Sequence, residues 1–105
     1  MEVKTKESFR AELKVNGISI EINPFVEEFL ARTTVGAVSS LKEVGDIRSL
    51  KIHQKKGNVE VTVNGKDIPL TPFPNDIISN TLVGMVSSLR GIEDIDSIDI
   101  SVEVD

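Results

Sequence analysis

The stretch Phe9–Ile22, FRAELKVNGISIEI, decides the fold. Phe9, Ala11, Leu13 and Val15 alternate with Arg10, Glu12 and Lys14. After Asn16-Gly17, Ile18, Ile20 and Ile22 alternate with Ser19 and Glu21. Alternation with period two is the mark of a strand with one buried face. Asn-Gly between two such runs is a tight hairpin turn, because both residues accept the positive φ of a type I′ turn. A two-residue turn sets Val15 opposite Ile18, Leu13 opposite Ile20 and Ala11 opposite Ile22, which gathers the apolar side chains on one face.

Working outward, the same pattern returns 48 residues later. Val15–Gln54 aligns with Val63–Val102 without a gap, and 17 of the 40 pairs are identical. Val15-Asn16-Gly17 matches Val63-Asn64-Gly65, Pro24-Phe25 matches Pro72-Phe73, and Asp46-Ile47 matches Asp94-Ile95. The second hairpin uses Val59, Val61 and Val63 with Ile68 and Leu70, and departs at Lys66, where the first has Ile18. A helix follows each hairpin. Asn23 and Thr71 stand as caps, Pro24 and Pro72 as first helical residues, and Glu27, Glu28 and Asp76 suit the positive helix N-terminus. Lys42 and Arg90 are placed in the last turns, with Gly45 and Gly91 at the exits. A third strand closes each unit: Leu50 and Ile52, then Ile98, Ile100, Val102 and Val104, alternate with polar residues. The expectation is an α+β fold, a tandem ββαβ duplication. One mostly antiparallel sheet of about six strands carries two helices on one face. Residues 1–105 form a single domain of two pseudo-repeats, about 7–54 and 55–104, since a 48-residue unit has difficulty burying a core alone.

Composition narrows the chemistry. The chain of 105 residues has no Cys, one His, four aromatics (all Phe) and a net charge of −5. The missing Cys excludes disulfides, thiol nucleophiles, iron–sulfur clusters and cysteine-containing zinc sites, and fits a reducing, cytoplasmic setting. Few aromatics and net acidity argue against nucleic acid. The N-terminus lacks the apolar core of a secretory signal, and no stretch reaches the roughly 18 apolar residues of a membrane span. Residues 1–52 hold eight basic and eight acidic groups, whereas residues 53–105 hold four and nine.

The reactive side chains read as surface. His53 alternates with Leu50 and Ile52 and reads as a solvated histidine near Lys51, Lys55 and Lys56, with no nucleophile or carboxylate motif beside it. The acidic tail Glu93, Asp94, Asp96, Asp99, Glu103 and Asp105 lacks the frame of a calcium loop and reads as a solvated face. Lys51-x-His53-x-Lys55-Lys56-Gly57 spans a hairpin tip without aromatics for base stacking. No catalytic residue, metal ligand or cofactor is assigned.

The repeated helix segment Thr-x-Val-Gly-x-Val-Ser-Ser-Leu is the most informative feature. Phe25, Phe29, Gly36 and Ser40 share one stripe, as do Phe73, Ile77, Gly84 and Ser88. The small residues Gly36, Ser40, Gly84 and Ser88 read as helix close-packing positions, which would offset the cost of about 1 kcal/mol for a mid-helix glycine. Thr33–Leu41 and Ile77–Leu89 carry no charge, although a helix on a monomer's sheet shows water a charged side. Two explanations stand together: another subunit or partner covers these helices, or each helix covers the other.

The Pro-Phe…Thr-x-Val-Gly-Met-Val-Ser-Ser-Leu-Arg-Gly run around Pro72–Gly91 resembles a group of small uncharacterised archaeal proteins. In these an Asn-Gly hairpin precedes a Pro-Phe-led helix that ends in a Met-Val-Ser-Ser-Leu-Lys-Gly-type run. The first repeat has Ala37 and Glu43 in place of Met85 and Gly91. The resemblance implies a cytoplasmic archaeal setting and carries over no site residue. The leading expectation is a non-enzymatic interaction module that forms a homo-oligomer, a dimer favoured, or meets a protein partner. Thr34, Ser39, Asn80, Leu82, Val83 and Ser87 are the candidate contacts. The alternative is a small-molecule binder on the polar sheet face around Arg10, Lys14, Lys51 and His53; neither reading involves nucleic acid or membrane.

Overall fold

The computed structural model describes residues 8–42 and 44–105, so expectations that rest on the first seven residues or on Glu43 lie outside the described residues. The elements are β1 (Phe9–Val15), β2 (Ile18–Ile20), α1 (Pro24–Ser39), β3 (Ser49–Lys55), β4 (Asn58–Val63), β5 (Lys66–Ile68), α2 (Pro72–Ser87) and β6 (Ser97–Val104). The architecture is the expected α+β arrangement, one antiparallel sheet in the order β2-β1-β6-β3-β4-β5. No described helix is long and apolar enough to cross a membrane.

Both Asn-Gly turns form as read. Asn16 and Gly17 take φ of 54° and 79°, Asn64 and Gly65 of 51° and 83°. Val15 faces Ile18 and Leu13 faces Ile20. The expected Ala11–Ile22 pair does not form, because β2 ends at Ile20. The ladder position it leaves is filled by a side chain: the Ala11 N–H donates to Glu27 Oε2 of α1 at 2.9 Å. In the second half the Val59 N–H donates to Asn75 Oδ1 of α2 at 2.8 Å. Each helix is thereby tied to the first strand of its own hairpin. The departure at Lys66 is also explained, since Ile18, its counterpart, is itself exposed.

The third strand of each half, β3 and β6, runs side by side at the centre, with Ile52 opposite Ile100. Each is flanked by the other half's hairpin, β6 by β1 and β3 by β4. Leu13 faces Ile100 as Val61 faces Ile52. Ser49 faces Glu103 as Lys55 faces Ser97. The pairing is thus unchanged when residue numbers shift by 48 between halves, which places a pseudo-two-fold axis through the Ile52–Ile100 pair. The halves are interlocked, and they share one core of residues such as Leu13, Leu30, Leu50, Ile52, Leu82 and Ile100.

Two asparagines hold that interlock. Asn16 Oδ1 accepts from the Asp96 and Ser97 N–H groups, and Asn16 Nδ2 donates to the Asp94 carbonyl. Asn64 repeats this on Arg48, Ser49 and Asp46. Each hairpin turn therefore clamps the loop that leads into the other half's third strand.

The helix ends differ from expectation at several residues. Asn23 caps α1, accepting from the Val26 N–H at 2.8 Å. Thr71 occupies the N-cap of α2 but makes no side-chain cap bond. The reason is local: the residue that matches Val26 is Pro74, which has no N–H to offer. Asp76 lies beyond the first turn, which holds no acidic residue. Lys42 and Arg90 fall past the helix ends, so neither last turn carries a basic residue. Of the two exit glycines, Gly91 takes a positive φ of 79° and Gly45 does not.

Candidate functional site

The buried side of α1 is Leu30, Ala31, Thr34 and Val38, and that of α2 is Ile78, Ser79, Leu82 and Val86. This sets the stripe of Phe25, Phe29, Gly36 and Ser40, and its match Phe73, Ile77, Gly84 and Ser88, on the side turned away from the sheet. The exposures are 74 % for Phe25, 50 % for Phe29, 72 % for Phe73 and 49 % for Ile77. Burying a side chain of this size typically contributes about 1.5–3 kcal/mol, so four left in water on one face form a patch that calls for an occupant.

This placement corrects the reading of the glycine stripe as close packing within the chain. A Cβ built at Gly36 or Gly84 meets no atom within 4 Å beyond its own helix among the described residues, and both glycines, Ser40 and Ser88 are exposed. Each hydroxyl returns to its own helix, Ser40 to the Gly36 carbonyl and Ser88 to the Gly84 carbonyl, both at 3.0 Å. The candidate contacts divide. Thr34 and Leu82 are core residues at 2 % and 1 % exposure and cannot meet a partner. Thr34 is buried because its hydroxyl bonds the Leu30 carbonyl at 2.8 Å, which removes the cost of hiding it. Val83 is half-buried, and Ser39, Asn80 and Ser87 are exposed. The large side chains of the patch were visible in sequence as a stripe with Gly36 and Gly84. In sequence the stripe reads as a packing surface, because small residues let a neighbouring backbone approach closely.

The helices lie side by side and antiparallel. A hollow of about 420 Å³ is lined by Phe25, Phe29 and Leu30 from the first half of α1 and by Gly84, Met85 and Ser88 from the second half of α2. A hollow of about 380 Å³ is lined by Phe73, Ile77 and Ile78 of α2 and by Ala37, Ser40 and Leu41 of α1. The two are related by the pseudo-two-fold, and each has a wall of large side chains and a wall of small ones. Between them the helices close on Thr33, Ala37 and Thr81 above Ile52, leaving only about 10 Å³. Charge stands at the margin: Arg32 donates to Glu28 at 2.6 Å and stacks 4.6 Å over the Phe9 ring.

The opposite sheet face is open and polar. Lys14, Asp99, His53 and Glu60 form one row across β1, β6, β3 and β4. His53, expected to stand without a carboxylate, has one: its Nδ1 lies 2.6 Å from Asp99 Oδ1. Both side chains are about two-fifths exposed, and a pair so placed contributes at most about 1 kcal/mol. No hydroxyl hydrogen-bonds the imidazole among the described residues. None of the five principal hollows is lined by Arg10, Lys14, Lys51 or His53. The acidic tail is dispersed, with Asp105 beside Arg10 at 3.7 Å and Asp99 on His53. Among the described residues no three His, Cys, Asp or Glu converge as a metal site would require.

No protein-family model, curated protein or solved structure matches the chain.

Proposed function

We propose that the protein is a non-enzymatic interaction module that self-associates through the outer face of α1 and α2, in a cytoplasmic setting. One observation carries this reading: Phe25, Phe29, Phe73 and Ile77 stand about half to three-quarters exposed on a helix face that lacks charge along its centre. Ser39, Asn80 and Ser87 border that face and stay among its contacts. The two halves are read as copies of one unit, which doubles the apolar patch about the pseudo-two-fold. The lone imidazole adds no chemistry to this reading, since among the described residues it meets a carboxylate but no nucleophile.

The test is light scattering coupled to size exclusion on the wild type and on the Phe25→Glu/Phe73→Glu variant. Both positions are about three-quarters exposed, so the variant is expected to keep its circular dichroism spectrum while its mass falls to that of one chain. Equal masses for both proteins would overturn the proposal.

A further inference from the structure

The outer helix face has the shape of its own partner. Large residues occupy the first half of each helix and small residues the second, and the helices run antiparallel. Turning a second copy over about an axis parallel to the helices lays its α1 on this copy's α2. The first half of one helix then covers the second half of the other. Phe25 and Phe29 of the second copy meet Gly84 and Ser88, and its Phe73 and Ile77 meet Gly36 and Ser40. One two-fold operation supplies all of these matches in both directions, because the pseudo-two-fold of the chain has already doubled them.

We infer that the occupant of this face is a second copy of the chain, docked with α1 on α2, with the phenylalanines of each copy seated against the glycine segments of the other. The inference rests on the self-association proposed above and specifies its geometry. The self-match of large and small segments favours a second copy over a different protein, and three features fit it. The face is neutral at its centre, and at its margin Glu28 pairs with Arg32 while Asp76 accepts from the Asn75 amide. A phenylalanine-sized side chain buries about 150–250 Å², so at the observed exposures the three phenylalanines alone supply about 400 Å² of the roughly 800 Å² that each partner of a stable pair contributes. A side chain at Gly36 or Gly84 would face open space among the described residues, and a close approach from a second chain gives both glycines a use.

Cross-linking tests the geometry, and the absence of native cysteine makes it clean. The variants Phe25→Cys and Ser88→Cys are prepared separately, mixed and oxidised, so that a disulfide between the two variants can form only between chains. The expected result is a covalent dimer in the mixture, and none when Phe25→Cys is mixed with Lys51→Cys on the opposite sheet face. Gly36→Ala/Gly84→Ala gives an independent reading: raised helix propensity should raise the melting temperature of the dilute monomer, while the added methyls should weaken dimerisation about tenfold or more. A dimer by light scattering without the 25–88 cross-link would overturn this docking and leave self-association standing. A monomer at every concentration would overturn both.

Discussion

Asn16 does two things that one residue type rarely combines. Its backbone holds the positive φ of the turn, and its amide gives and receives hydrogen bonds across the molecule. Asn16→Gly keeps the turn and deletes the clamp, so it separates the two roles. The expected loss is about 1–2 kcal/mol in urea unfolding, the cost of leaving loop groups without their partner, whereas a turn-only residue would tolerate glycine. Gln54 and Ser79 are a second residue-scale case. They are buried at 4 % and 5 % exposure and bonded to each other at 3.0 Å, with Gln54 Oε1 unpartnered among the described residues. Their counterparts in the other half are Val102 and Ala31, both at 0 %. Ser79→Ala alone should destabilise by about 1–2 kcal/mol by orphaning the amide. Gln54→Val/Ser79→Ala should restore or exceed wild-type stability in thermal unfolding, because replacing both partners removes the buried polar groups together. The turn role of Asn16 was readable in the Asn-Gly dipeptide. The clamp was not, because its partners lie about 80 residues away and only the interlocked topology brings them together.

Elements repeat the lesson in another form. The hairpins, helix starts and third strands follow from alternation, Asn-Gly turns and Pro-led caps, all of which are local signals. What local signals could not supply was the consequence of a single substitution in context. Thr71 is a good cap residue by type, yet Pro74 leaves it without a donor to accept. Asn23→Ala should therefore cost about 1 kcal/mol, and Thr71→Ala close to nothing, when melting temperatures are compared. A loss at Thr71 as large as that at Asn23 would contradict the proline explanation. The short edge strands tell the same story. Ile22 and Leu70 continue the apolar alternation of β2 and β5, but Glu27 and Asn75 take the ladder positions instead, and a side chain reaching down from a helix leaves no mark in the period of the strand.

At the scale of the molecule, the charge gap in the helices was legible and its meaning was half legible. The sequence pattern marks a helix face without charge, and that face is present. In sequence the stripe of large and small residues reads as close packing, which leaves open the side of the helix it occupies. The deciding fact is that the sheet is covered by Leu30, Val38, Ile78, Leu82 and their neighbours, which leaves Phe25, Phe29, Phe73 and Ile77 on the outer side. A contact of this composition should be nearly indifferent to salt, unlike one held by exposed ion pairs. Self-association is expected to change less than about threefold between low and high ionic strength, and a strong weakening with salt would point to a charged contact elsewhere, such as the polar sheet face.

Sedimentation velocity on the unaltered chain, run as a dilution series, tests the central claim most directly. Self-association through the outer helix face predicts a species of about twice the 11.5 kDa chain mass that dissociates to one chain as the sample is diluted. A single 11.5 kDa species at every concentration, including the highest, would contradict it.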